Sequence, residues 1–149
     1  VVTIHAHVAL VRNLNSAMAS SNRVHVAVGV IEDDNGHIFI SCRHPHLHQG
    51  GKWEFPGGKV EANESVYEAL CRELQEECNL TVQQACPLTV ITHDYSDKQV
   101  LLDVWMVTAF SGSVSQQEGQ QWRWVPVYEL DAYPFPPANQ PIIEILQRR

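Results

Sequence analysis

Gly58-Lys59-Val60-Glu61-Ala62-Asn63-Glu64-Ser65-Val66-Tyr67-Glu68-Ala69-Leu70-Cys71-Arg72-Glu73-Leu74-Gln75-Glu76-Glu77-Cys78-Asn79-Leu80 is the stretch whose reading decides the fold. From Glu64 to Cys78 it holds no Gly or Pro, and Val66, Ala69, Leu70 and Leu74 recur at helical spacing, so a helix with one apolar side is predicted over 64–78. Glu73, Glu76 and Glu77 stand at i, i+3 and i+4 and share the other side within a turn. Two such charges ~4 Å apart at an effective dielectric near 20 interact by ~4 kcal/mol. Arg72, which can pair with Glu68 and Glu76, does not neutralise the cluster alone. A hard divalent cation with carboxylate ligands would. The plain alternative for three glutamates on a helix is a solvated face; here the Gly57-Gly58 pair just ahead of the helix is what a backbone that must approach a ligand closely requires.

The 149 residues, 44% of them hydrophobic, make one domain with a real core. With 10 basic against 17 acidic residues, the net charge of -7 argues against a nucleic-acid polymer as partner. A small polyphosphate is anionic as well, and an acidic protein that binds one needs cations as intermediaries, in agreement with the glutamate cluster. Cys42, Cys71, Cys78 and Cys86 contain no C-x-x-C pair and read as reduced, buried thiols of a cytosolic protein. No run reaches the ~20 apolar residues that a membrane span needs. Residues 1–20 begin without Met, and His5, His7 and Arg12 interrupt their apolar pattern. They read as a leader or vector-derived segment outside a domain over 21–149, with Met18 as the natural start.

Outward from the helix, Val24 to Ile31 is β-rich, and the turn Asp33-Asp34-Asn35-Gly36 leads into a second strand, His37 to Cys42. His44, His46 and His48 alternate in a polar loop whose Pro45, Gly50 and Gly51 favour mobility over a metal site. A contact from a single histidine of this loop to a ligand phosphate or sugar is the better reading. Leu88 to His93 and Val100 to Phe110 read as strands around the turn 94–98, followed by a loop, Ser111 to Gln121, that carries Glu118. Trp122 to Pro126 is a short strand, Val127 to Leu130 a helical turn, and Ile142 to Gln147 an apolar-faced helix. This order fits a mixed sheet covered by helices.

The central stretch resembles the Nudix box, matching it at Gly58, Glu64, Arg72, Glu73, Leu74, Glu76, Glu77 and Leu80. Asn79 stands where the family has a helix-ending glycine, and Asn is the next most tolerant residue in a left-handed cap. Arg43, the segment Trp53-Glu54-Phe55-Pro56-Gly57-Gly58-Lys59, Glu118 and Phe135-Pro136-Pro137-Ala138-Asn139-Gln140-Pro141 extend the likeness to the MutT branch of the Nudix hydrolases over about 22–149. The resemblance implies an α/β (α+β) fold, the Nudix α/β/α sandwich with a mixed sheet between helices. It implies Mg²⁺-dependent hydrolysis, with Mn²⁺ as a substitute, of 8-oxo-dGTP, and of dGTP more weakly, to the monophosphate and pyrophosphate. Such an activity cleanses the nucleotide pool before DNA replication and prevents mutagenic incorporation. A cytoplasmic monomer with a nucleoside triphosphate as substrate, and no membrane or nucleic-acid polymer as partner, goes with that reading. Two alternatives stand beside it: hydrolysis of CTP, methyl-dCTP or dinucleoside polyphosphates, and a non-catalytic module that recognises oxidised guanine.

By the same resemblance the metal ligands are the Gly57 carbonyl, Glu73, Glu76, Glu77 and Glu118, and Arg72 orients the carboxylates. Glu118 or one of the helix glutamates is the base. Arg43, His48, Glu54, Phe55, Pro56, Gly57 and Asn139 meet the substrate. Phe55 also suits the core. For Asn139 two readings compete: an N-cap for the last helix, worth ~1 kcal/mol, or a carboxamide that pairs twice with O6 and N7–H of 8-oxoguanine and once with guanine.

Overall fold

The computed structural model describes residues 3–17, 23–47 and 50–149. Its centre is a mixed four-stranded sheet in which β1 (Arg23–Ile31) runs parallel to β6 (Lys98–Ser111) and antiparallel to β4 (Gly57–Lys59), while β5 (Thr81–Tyr95) closes the far edge against β6. A second, antiparallel sheet joins β3 (Trp53–Glu54), β2 (His37–Cys42) and β7 (Trp122–Pro126). Helix α2 (Val66–Cys78) covers one face of the central sheet and α3 (Gln140–Arg148) the other. The expected sandwich is thus present.

Because strand side chains alternate, β1 sends Ala27 and Ile31 toward α2 and Val28 and Val30 toward α3. On the α2 side, Ala69, Leu70, Leu74 and Cys78 are fully buried with Trp105 and Val107. Each leucine so buried is worth ~1.5–3 kcal/mol. Gly29 makes room for them, since a Cβ there would lie 3.0 Å from Leu74 Cδ1 and 3.1 Å from Leu70 Cδ1. On the α3 side, Ile142, Ile143 and Leu146 pack on Val104 together with Ile38 and Ile40 of the second sheet.

Several boundaries differ from the sequence expectations, each for a local reason. Helix α2 starts at Val66, because Ser65 caps it: Glu68 N–H donates to Ser65 Oγ (3.1 Å) and Ser65 N–H to Glu68 Oε1 (2.9 Å). Glu68 is therefore engaged at the cap and not with Arg72, and Gly57-Gly58 belong to β4, not to the helix entry. At the other end Asn79 adopts φ 54°, ψ 41°, and Leu80 N–H reaches Leu74 O at 3.3 Å, the cap expected of a glycine substitute. Strand β5 begins at Thr81, well before Leu88; it tolerates Pro87 as an edge strand with register shifts around it. Of the cysteines only Cys78 is buried; Cys86 is exposed.

Residues 4–17 differ most from expectation. Helix α1 (Ile4–Ala17) is not separate from the domain, since it packs on the sheet and buries His7 and Val11. His7 Nε2 pairs with Oδ1 of the fully buried Asp103, which also accepts from Trp105 Nε1 (2.9 Å) and, at Oδ2, from His25 Nε2 (3.0 Å). Burial alone would push Asp103 upward, but the bonds from His25 and His7 outweigh it and hold the carboxyl below its usual range. An apolar-periodicity reading treats a histidine as an interruption and has no access to a partner 96 residues away. Met18, the expected natural start, lies outside the described residues.

Candidate active site

The acidic end of the site is built by α2 lying across β4. Gly57 can only be glycine, as a Cβ would meet Ala27 O of β1, and a Cβ on Gly58 would strike the Glu73 carboxylate. That close approach lets Gly57 N–H donate to Glu77 Oε2 at 3.2 Å. The three helix glutamates are not equivalent. Glu77 is 8% exposed, whereas the side chains of Glu73 and Glu76 are 19% and 62% exposed. Burial first, then the charges of Glu54, Glu73 and Glu118, push the Glu77 carboxyl up to about 8, against a single lowering contact from Gly57 N–H.

Arg72 binds mainly Glu64 and Glu73. Its Nε and Nη2 hold the Glu64 carboxylate at 2.7 and 2.9 Å, its Nη1 reaches Glu73 Oε1 at 2.8 Å, and Nη2 also meets Lys59 O at 3.1 Å. Glu76 Oε2 stays 3.7 Å away. The fork on Arg72, with the Glu61 N–H, lowers Glu64 to about 2. The guanidinium thereby ties the turn 61–64 to the helix and fixes Glu73 in place.

Among the described residues no three His, Cys, Asp or Glu side chains stand ready-gathered for a metal. Glu73 is engaged by Arg72, Glu77 by Gly57 N–H, and Glu76 points outward, as mutually repelling carboxylates arrange themselves. The donor set nevertheless suits a hard divalent cation: Glu77 is buried among carboxylates with no basic side chain bonded to it among the described contacts. Glu118 lies close enough for its charge to act on both Glu54 and Glu77.

Next to the carboxylates a cleft of about 260 Å³ opens over the β1 and β6 end of the sheet, with Arg43, Glu54, Phe55, Tyr95, Lys98 and Asn139 among its walls and an apolar floor of Val26, Val28 and Leu102. Arg43 Nη1 binds Glu54 Oε2 at 3.0 Å. Burial raises the Glu54 carboxyl, and Arg43 only partly offsets it. Phe55 is both core and wall, 5% exposed and stacked on Phe135 at 5.1 Å. Pro56 acts through its backbone, its carbonyl accepting Gly29 N–H at 2.8 Å. Asn139 makes no side-chain cap for α3: its backbone is helical, φ −91° and ψ −12°, because the 3₁₀ turn Pro137–Asn139 runs directly into the helix. The N-cap reading is therefore set aside, and Asn139 is one of the residues that line the cleft.

So the fold brings Arg43, Glu54, Phe55, Gly57 and Asn139 to one cleft, with Glu73, Glu77 and Glu118 beside it. His48 lies outside the described residues. Sequence reading missed Tyr95 and Lys98, which it assigned to a turn. Their antiparallel register, Tyr95 opposite Lys98, is what turns both toward the cleft.

A family model for the NUDIX domain matches residues 27–145. The 8-oxo-dGTP diphosphatase of Escherichia coli (strain K12) is 38% identical over 126 residues, covering 85% of this chain and 98% of that protein. The CTP pyrophosphohydrolase of the same organism is 35% identical over 121 residues, with coverage of 81% and 89%. Among solved structures, one from work on MutT of Aliivibrio salmonicida and Vibrio cholerae superposes with a TM-score of 0.75 at 40% identity, covering 85% of this chain and 99% of the other.

Proposed function

The chain belongs to the Nudix family, and from that premise we propose that it hydrolyses 8-oxo-dGTP, and dGTP more weakly, to the nucleoside monophosphate and pyrophosphate. The observation that carries this reading is Asn139, which lines the cleft and whose carboxamide makes no cap for α3. One amide offers a donor and an acceptor side by side. O6 and N7–H of the oxidised base meet both, whereas guanine presents two acceptors and leaves one amide atom unpaired, a loss of ~1–3 kcal/mol.

Nudix hydrolases need a divalent metal and act on nucleotides; Mg²⁺ is the ion proposed here, held by Glu73, Glu76, Glu77, Glu118 and the Gly57 carbonyl. When bound, it neutralises polyphosphate charge and lowers the pKa of coordinated water. Arg72 keeps Glu73 oriented through the 2.8 Å bond. Arg43, held by Glu54, supplies a fork for phosphate or a base edge. Glu118 or a helix glutamate takes the proton of the attacking water. Oxygen of that water bonds to the β-phosphorus, the bond from that phosphorus to the α–β bridging oxygen breaks, and the monophosphate leaves with the bridging oxygen. On this reading the enzyme is a monomer of the cytoplasm, with no membrane or nucleic-acid polymer as partner. No helix among the described residues is long and apolar enough to cross a membrane.

The test is kcat/KM for 8-oxo-dGTP, dGTP, CTP and a dinucleoside polyphosphate, with hydrolysis in ¹⁸O-water. Preference for 8-oxo-dGTP and label in pyrophosphate are expected. The CTP reading is favoured by the relative at 35% identity, and CTP as best substrate would replace the proposal with it. Binding of 8-oxo-dGTP without turnover would instead support the non-catalytic alternative.

A further inference from the structure

Glu118 sits on the connection from β6 to β7, a segment with no helix or strand across 112–121. An acid on such a loop needs something to hold it. Two backbone bonds hook the loop to the end of α2: Ser115 N–H to Cys78 O at 3.1 Å, and Gln117 N–H to Glu77 O at 2.7 Å. These N–H groups satisfy carbonyls that the helix end leaves unpaired. The second hook lands on the carbonyl of Glu77 itself, one residue before Glu118.

The rest of the fixation comes from Gln116, which is 9% exposed and takes no part in the cleft. Its Oε1 accepts from Glu118 N–H at 2.7 Å and from Gln120 N–H at 2.9 Å, and its Nε2 donates to Gln120 Oε1 at 2.8 Å. Both acceptor sites of the amide oxygen are thus used to curl the loop around Glu118. Across the loop His44 Nε2 donates to Glu118 O at 3.4 Å, so the backbone of Glu118 is gripped on its N–H and its C=O alike. We propose that Gln116 is a positioning residue for hydrolysis: its buried amide fixes the loop that carries Glu118 against α2 and so sets where the Glu118 carboxylate stands beside Glu77. This rests on the reading of Glu118 as metal ligand or base.

The experiment is a double-mutant cycle on the full chain with 8-oxo-dGTP and saturating Mg²⁺. Gln116→Met keeps the bulk and removes both acceptor sites. It is expected to lower kcat by about 10- to 100-fold, the scale of a slightly misplaced catalytic group, and to leave KM unchanged. Gln116→Glu, which still accepts both N–H groups, is expected to retain most of the rate. In a Glu118→Gln background Gln116→Met is expected to add nothing. If Gln116→Met unfolds, Gln116→Ser, which lets water reach the two N–H groups, takes its place. A large loss at Glu118→Gln with none at Gln116→Met overturns the positioning role and leaves the reading of Glu118 standing. Equal losses from Gln116→Met in both backgrounds overturn it too, as does a Gln116→Glu variant as slow as Gln116→Met. No loss at Glu118→Gln removes the reading of Glu118, and the proposal with it.

Discussion

The proposed function puts its weight on Glu77 and Asn139, one held by a contact of 3.2 Å and the other lining the cleft without a cap contact. Glu77 is buried, raised to about 8, and held by Gly57 N–H. Glu77→Gln preserves size and helix propensity and removes the charge, so kcat at saturating Mg²⁺ is expected to fall on the order of 10²-fold. The same variant is expected to melt higher than the parent at pH 8 in chelator, because a buried repulsive charge is gone. Turnover close to the parent's would show that Glu77 serves neither metal nor water. Asn139 makes no cap contact, so Asn139→Ser is expected to keep the melting temperature and to lose the preference for 8-oxo-dGTP over dGTP by ~1–3 kcal/mol, read as the ratio of kcat/KM values. Retention of that ratio would end the base-reading role.

At the scale of elements, α2 and its surroundings follow from local signals, while α1 is held by a long-range one. His7 places one of three donors on the buried Asp103 carboxylate. His7→Phe fills a similar space without a donor and is expected to cost ~1–3 kcal/mol of stability in chemical denaturation. Since no described residue of α1 lines the cleft, kcat/KM is expected to be unaffected. A variant as stable as the parent would mean that His25 and Trp105 suffice for Asp103, and that α1 docks through Val11 and its other packing alone.

The whole molecule carries opposing pH dependences. Glu77 holds its proton more tightly folded, at about 8, than at its ordinary 4.5, so between these values the folded protein carries more protons than the unfolded chain and stability falls as pH rises. Asp103, lowered in the fold, contributes stability that is present above its ordinary pKa and lost as pH falls through the folded one. In chelator the melting temperature is therefore expected to decline from about pH 4.5 to 8, and added Mg²⁺ to raise it most at the alkaline end, where the carboxylates are charged. Scanning calorimetry across that range checks it. A Mg²⁺ effect of equal size at pH 5 and pH 8 would contradict the account of Glu77.

What the sequence determined by itself is what depends on near neighbours in the chain. The glutamates at i, i+3 and i+4, the break-free helix, Asn79 as a left-handed cap and the glycines of β4 are all properties of short spacing, and the structure carries each of them. The tertiary structure decided what depends on the far side of a contact. Glu76 and Glu77 are adjacent in sequence, yet only Glu77 meets Gly57, 20 residues away, and becomes buried. Asn139 is freed from capping by the 3₁₀ turn that precedes it, and Tyr95 and Lys98 reach the cleft through strand register. The docking of α1 brings together, besides the buried Val11, a histidine and an aspartate 96 residues apart, a polar pair that apolar periodicity does not record.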